Sequence, residues 1–195
     1  MQRVRDAIEN SKALPENAAL QLTHRAWLLH WALFVCFSTP DAGLRFLELS
    51  TGTESALGAL QISAPYLLRY VVVAHVCLSA SSQKRLPLPL PDLVRIIEQE
   101  PTTHSDPVVK FVHCLFAEYD FERAQQQLRL AEKALQEDYF LQKHYAAQFV
   151  ENARLMLFRS YCKIHQCLDL NMLAGKLSMG PAEAESWIVN LIRNE

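Results

Sequence analysis

Between residues 120 and 136, Phe121, Ala124, Leu128, Ala131 and Leu135 recur at alternating spacings of three and four, with Glu122, Arg123, Gln126 and Glu132 between them. Only an α-helix puts residues so spaced on one side, so the segment predicts an amphipathic helix that must bury its stripe against other elements. The preceding stretch sets Val108, Val112, Leu115 and Tyr119 on a second stripe and leaves almost nothing for a loop. So short a connection turns two helices back on each other as an antiparallel pair. Ser105, Asp106 and Pro107 stand in front of that pair as a hydroxyl, a carboxylate and a first-turn proline, which together predict a helix start near Asp106. Thr39, Pro40 and Asp41 offer the same chemistry, so one helix is expected to end near Phe37 and another to begin near Asp41.

The first half carries further helical patterns. Trp27, Leu28, Trp31, Phe34 and Val35 line up, and so do Leu67, Val71, Ala74 and Leu78. The apolar runs 26–37 and 65–80 are broken by His30, Arg69 and His75 and are too short to span a bilayer, so they read as buried helices. Only 5 glycines occur in 195 residues, which argues against an all-β chain with its many tight turns. Helix count and loop length, with no detectable sequence repeat, predict a right-handed stack of antiparallel helix pairs over residues 1–146. Within it, residues 84–91, Lys84-Arg85 followed by alternating leucine and proline, are expected to form a connector, since each proline removes an amide donor. The prolines are two apart, whereas docking to a proline-reading domain calls for P-x-x-P.

Formal net charge is −2, with both signs interleaved along the chain, so no field exists to gather polyanions and strong nonspecific nucleic-acid binding is not expected. Cys36, Cys77, Cys114, Cys162 and Cys167 are odd in number, sit in apolar surroundings and contain no C-x-x-C pair. They read as reduced core thiols, and with no secretory signal at the start they imply a cytoplasmic protein.

From residue 147 the pattern changes. Phe149, Val150, Ala153, Met156, Leu157, Ser160 and Tyr161 give one helix a broad apolar face. Residues 164–168 then alternate as a short strand, Asp169 caps a helix with Leu170, Leu173, Ala174 and Leu177, and Gly180-Pro181 opens a last helix with Ala184, Trp187, Ile188, Leu191 and Ile192. Strand, helix, turn, helix is the opening of a winged helix, whose two-stranded wing is expected beyond Glu195, so residues 147–195 form an incomplete winged-helix subdomain. Leu173, Leu177, Trp187, Ile188 and Leu191 are its expected core, with Trp187 buried against the long helix before it.

The runs 162–167, 171–174, Lys176-Leu177, 183–185 and 187–194 together resemble the winged helix of the PCI-domain family, in the form carried by eukaryotic translation initiation factor 3. Residues 25–31, 68–70, Asp106-Pro107 and 151–154 are similar to that family in the same order. The resemblance implies a mainly α chain, a helical stack running into a PCI domain, that acts as a non-catalytic scaffold in translation initiation. It further implies partners among the PCI and MPN subunits of that complex, a link to the small ribosomal subunit through it, and no cofactor. Proteasome-lid and signalosome subunits share the architecture and form the alternative. Sheet edges invite strand addition, so the partner contact is expected around Lys163, Gln166, Cys167, Leu168 and Lys176.

Other chemistry is weighed on spacing. Cys162, His165 and Cys167 are close in sequence, but no second pair follows to complete a four-ligand zinc site. His113 and Cys114 are neighbours that diverge by about 100° on a helix, so no nucleophile and base pair is expected of them. Glu98, Glu100, Glu183 and Glu185 read as solvated carboxylates, and no nucleophile, base and oxyanion site assembles. A winged helix could also bind nucleic acid, but its last helix opens with Glu183 and Glu185 and offers only Arg193 as a cation, so specific DNA binding is not expected.

Overall fold

The computed structural model describes residues 2–10, 18–38, 43–79, 86–99, 106–164, 174–175 and 180–194. These form α1 (Gln2–Asn10), α2 (Ala18–Cys36), α3 (Gly43–Thr51), α4 (Glu54–Ser63), a 3₁₀ turn (Pro65–Leu67), α5 (Leu68–Ser79), α6 (Leu90–Gln99), α7 (Pro107–Phe116), α8 (Phe121–Glu137), α9 (Ala146–Ile164) and α10 (Pro181–Asn194). The chain is mainly α, and the described residues include no strand. Among them no single helix is long and apolar enough to cross a membrane.

The start of α7 is held as the sequence predicts, and that of α8 by the same chemistry. Asp106 accepts the Val108 amide at 2.8 Å ahead of Pro107, and Asp120 accepts those of Glu122 and Arg123 at 3.1 and 3.0 Å. Thr39, Pro40 and Asp41 lie outside the described residues. α7 and α8 form the antiparallel pair, with Val108, Val112 and Leu115 facing Ala124, Leu128, Ala131 and Leu135, all buried. Tyr119 departs from its predicted stripe. It stands past the end of α7, exposed, at φ 55°, a left-handed conformation that reverses the chain between the two helices. Gly52 makes another tight corner: a Cβ there would stand 2.3 Å from the Glu48 carbonyl oxygen, so only glycine fits after α3.

α5 is the centre of the packing and touches α3, α7 and α9. Every residue from Val71 to Cys77 is buried, including three consecutive valines, residues whose stiff branched side chains give little help to an isolated helix. Burial on all sides is what makes them helical. The core continues without a break from Ala26 of α2 to Tyr161 of α9. α9 in turn packs on α8 and α5, with the Phe121 and Tyr161 rings edge to face at 5.4 Å. The leucine and proline connector is described from Leu86 onward, and its last two residues, Leu90 and Pro91, form the first turn of α6. Proline is tolerated there because first-turn amides have no partner to lose.

Two expected features need correcting here. The run 26–37 is not buried throughout, because Trp27, Trp31, Phe34 and Val35 face solvent. Ile164, placed by its alternation in a strand, is the last residue of α9, whose hydrogen-bonded turns carry on through it. Residues 165–168 lie outside the described residues.

Candidate partner interface

Of the residues expected to meet a partner, Lys163 is exposed in the last turn of α9, beside the exposed side chain of Ile164. Gln166, Cys167, Leu168 and Lys176 lie outside the described residues, as do Leu173 and Leu177 of the expected core. Ala174 is buried, and the carbonyl of Gly175 accepts the Gln125 side-chain amide, which ties this point of the chain to α8. On α10, Ala184 is fully buried while Trp187, Ile188 and Leu191 are half-buried. The Trp187 ring meets the edge of Phe158 on α9 at 5.6 Å and 88°. Gly180 offers no capping side chain, but Glu183 reaches back to its amide at 3.4 Å, the acidic half of a capping box.

At the other end of α9 the structure uncovers a surface that sequence reasoning assigns to the core. Trp27, Trp31 and Phe34, at 61, 58 and 57 % exposure, stand on the outer side of α2. Their inner neighbours Leu29, Ala32, Leu33 and Cys36 are buried. The rings connect onward: Trp31 to Phe34 at 5.8 Å, Phe34 edge-on to Phe140 at 4.9 Å, and Phe140 edge-on to Tyr139 at 5.2 Å. One sequence signal does point to this surface. α2 carries large apolar residues on every side, which a helix in a two-layer stack cannot bury completely.

A polar clamp sets the position of Tyr139 and Phe140. Asp138 receives the Phe140 and Leu141 amides on Oδ1 at 3.0 and 3.2 Å, while its Oδ2 accepts Arg69 at 3.2 Å and the Tyr70 hydroxyl at 3.0 Å. The same Arg69 guanidinium donates to Asp106, the cap of α7. Burial alone would lower the Arg69 pKa, but Asp106 and Asp138 outweigh it and hold the guanidinium charged. Tyr70 is pushed far above its usual range by burial and by the Asp138 carboxylate, so its hydroxyl remains a donor. One arginine thereby ties α5 to the start of α7 and to the end of α8.

The thiols are those of a core. Cys36, Cys77 and Cys114 are buried and free, and burial pushes Cys77 up to about 12. His113 and Cys114 do come together, contrary to the divergence expected of helix neighbours. They occupy the final turn of α7, and the reversal after it brings Glu118 back, so that donor atoms of all three lie within 4.8 Å of one another. Glu118 already pairs with Arg123 at 2.9 Å, and burial followed by the Glu118 charge raises the Cys114 pKa, so the trio is neither an activated thiol nor a four-ligand metal site. Cys162 is half-buried; His165 and Cys167 lie outside the described residues.

A family model described as the PCI domain matches residues 117–195, from the turn before α8 to the end of the chain. The chain is 45% identical over 172 residues to the Caenorhabditis briggsae protein named as the E subunit of eukaryotic translation initiation factor 3, covering 88% of this chain and 54% of that one. It is 45% identical to the Caenorhabditis elegans protein of the same name, over 88% of this chain and 39% of that one. With the Neurospora crassa protein of that name it shares 41% identity over 200 aligned positions, covering 100% of this chain and 43% of that one. The chain thus spans about half the length, or less, of the curated relatives it matches. The C-terminal part of the chain, residues 117–195, thus matches the PCI domain, and along nearly its whole length the chain is similar to the E subunits of eukaryotic translation initiation factor 3.

Proposed function

We propose that the chain is a scaffold subunit of a factor 3 type translation initiation complex and holds neighbouring subunits in register through its PCI region. The observation that carries this reading is the coincidence of the PCI match over 117–195 with similarity, along nearly the whole chain, to proteins named as the E subunit of that factor. In this reading residues 1–146 set spacing and curvature, and residues 147–195 are a winged helix that meets other PCI and MPN subunits around Lys163, Gln166, Cys167, Leu168 and Lys176. It works in the cytoplasm, reaches the small ribosomal subunit through the complex, and performs no catalytic step. The unbroken core supports the division of labour, because a displacement at α9 is carried by packed side chains into α5 and α8.

Affinity purification of the tagged chain expressed at native level, followed by mass spectrometry, should return initiation factor subunits. Recovery of proteasome-lid or signalosome subunits in their place overturns the assignment. In the purified complex, lysine cross-linking should give inter-subunit links at Lys163 and Lys176. Links confined to Lys133 on α8 would move the contact to the stack.

A further inference from the structure

Scattered exposed apolar side chains are ordinary, but contiguous aromatic surface is not. The belt from Trp27 to Tyr139 borders two troughs that share Phe34. The first, of about 500 Å³, runs between α2 and the corner where α4 meets the 3₁₀ turn, with Trp27, Trp31 and Phe34 along one wall and Ser63 and Tyr66 along the other. His30 closes its floor, accepting the Tyr66 hydroxyl at 2.5 Å while its other ring nitrogen donates to the Ala26 carbonyl. The second trough, of about 540 Å³, passes Phe37, Phe140 and Tyr139 and ends at Lys143 and His144. Among the described residues no carboxylate lines either one.

We propose that this belt is a docking surface for an amphipathic helix of a partner protein, one whose apolar stripe ends in a cluster of carboxylates. Trp27, Trp31 and Phe34 stand at i, i+4 and i+7, a ridge two turns and about 10 Å long. Opposite them Ser63 and the half-exposed Tyr66 form the second wall, and a helix packs by laying its own row of side chains between two such walls. Tryptophan and tyrosine at the centre of a trough are the residues that most often carry binding energy. The charge pattern gives the occupant a direction. The Trp27 end holds no formal charge and suits leucine or isoleucine, whereas the far end presents Lys143 and His144 with no acid of its own, so the helix places its carboxylates there.

The same rings could stack bases, but single-stranded nucleic acid also needs a track of cations along its phosphates. Lys143 is the one permanently charged residue lining the troughs among the described residues. The inference goes beyond the scaffold reading, because the belt lies at the start of α9 and Lys163 near its other end, about 25 Å away along the helix axis.

The test uses the full chain and two fluorescein-labelled peptides of about 16 residues, long enough to form a helix on binding. Both carry leucines at i, i+4, i+7 and i+11; one ends in three glutamates and the other in three lysines. Fluorescence anisotropy should show the glutamate peptide binding at least about tenfold tighter. Lys143→Glu should erase that preference, and Trp31→Ala should weaken the glutamate peptide about tenfold with an unchanged thermal melt, since the ring is exposed. Equal affinity for the two peptides, binding of neither, or a preference indifferent to Lys143→Glu overturns the proposal. So does saturable binding of a U-rich oligonucleotide that Trp31→Ala abolishes, which makes the belt a nucleic-acid platform. Self-association in sedimentation velocity that is lost in Trp31→Ala assigns the belt to a second copy of the chain, and likewise overturns it. None of these outcomes alters which subunits co-purify with the unmodified chain, so the two readings fail separately.

Discussion

His75 shows how a polar residue is kept in an apolar core. Its ring is buried on α5, one nitrogen donates to the Leu88 carbonyl at 3.1 Å, and Nδ1 has no hydrogen-bond partner. Burial lowers its pKa below the ordinary histidine value, and the Leu88 bond offsets only part of the shift. The folded chain therefore resists the proton that the unfolded chain accepts, so stability is full above the ordinary value near 6.5 and falls as pH drops toward the depressed one. Urea unfolding at about pH 8 and about pH 5.5 should show a loss of stability at the lower pH that shrinks in His75→Gln. In the sequence His75 stands out only as an interruption of an apolar run. Its role depends on the connector folding back over α5 to present the Leu88 carbonyl, and no local pattern records so distant a partner. Tyr119 misleads for a related reason: spacing continues through a helix end, while the left-handed turn that ends it is a matter of backbone.

Among the elements, α7 and α8 are legible because each has one covered side, so the stripe in the sequence and the buried set in the structure coincide. α5 is legible as a buried helix from an apolar run broken at Arg69 and His75. α2 defeats the same logic, since an apolar run announces a helix without saying which of its sides the stack leaves open. That is why the sequence hints at the aromatic belt only through the large apolar residues on every side of α2, without marking which of them stay open. α10 meets α9 through the Trp187 and Phe158 ring pair. Trp187→Ala should therefore lower stability by about 2 kcal/mol, less than a fully buried tryptophan would cost because the ring is half-exposed. A double-mutant cycle with Phe158→Ala, read by thermal melting, should return a coupling of about 1 kcal/mol.

At the scale of the whole molecule the Arg69 clamp matters most, because it joins three helices through residues that the sequence keeps far apart. Asp106 and Asp138 are nearly enclosed, with side-chain exposures of 7% and 6%, while Arg69 keeps 27%. Arg69→Ala leaves two enclosed carboxylates without their cation and should cost about 2–3 kcal/mol, below the usual figure for a buried pair because solvent reaches the guanidinium. Adding Asp138→Asn to that variant should recover part of the loss in a denaturant titration, since one of the two stranded charges is then gone.

The clamp also has a timetable. Arg69 is synthesised with neither of its acids yet made: Asp106 follows 37 residues later and Asp138 69 residues later. At the usual elongation rates the interval to Asp138 is roughly 3–14 s, far longer than a helix needs to form. Until Asp106 arrives α5 carries an unpaired guanidinium beside the valines it has yet to bury, and until Asp138 arrives the clamp is half-made. The arrival of Asp138 is therefore a late checkpoint in synthesis, before which the first half of the chain is the part most in need of a chaperone.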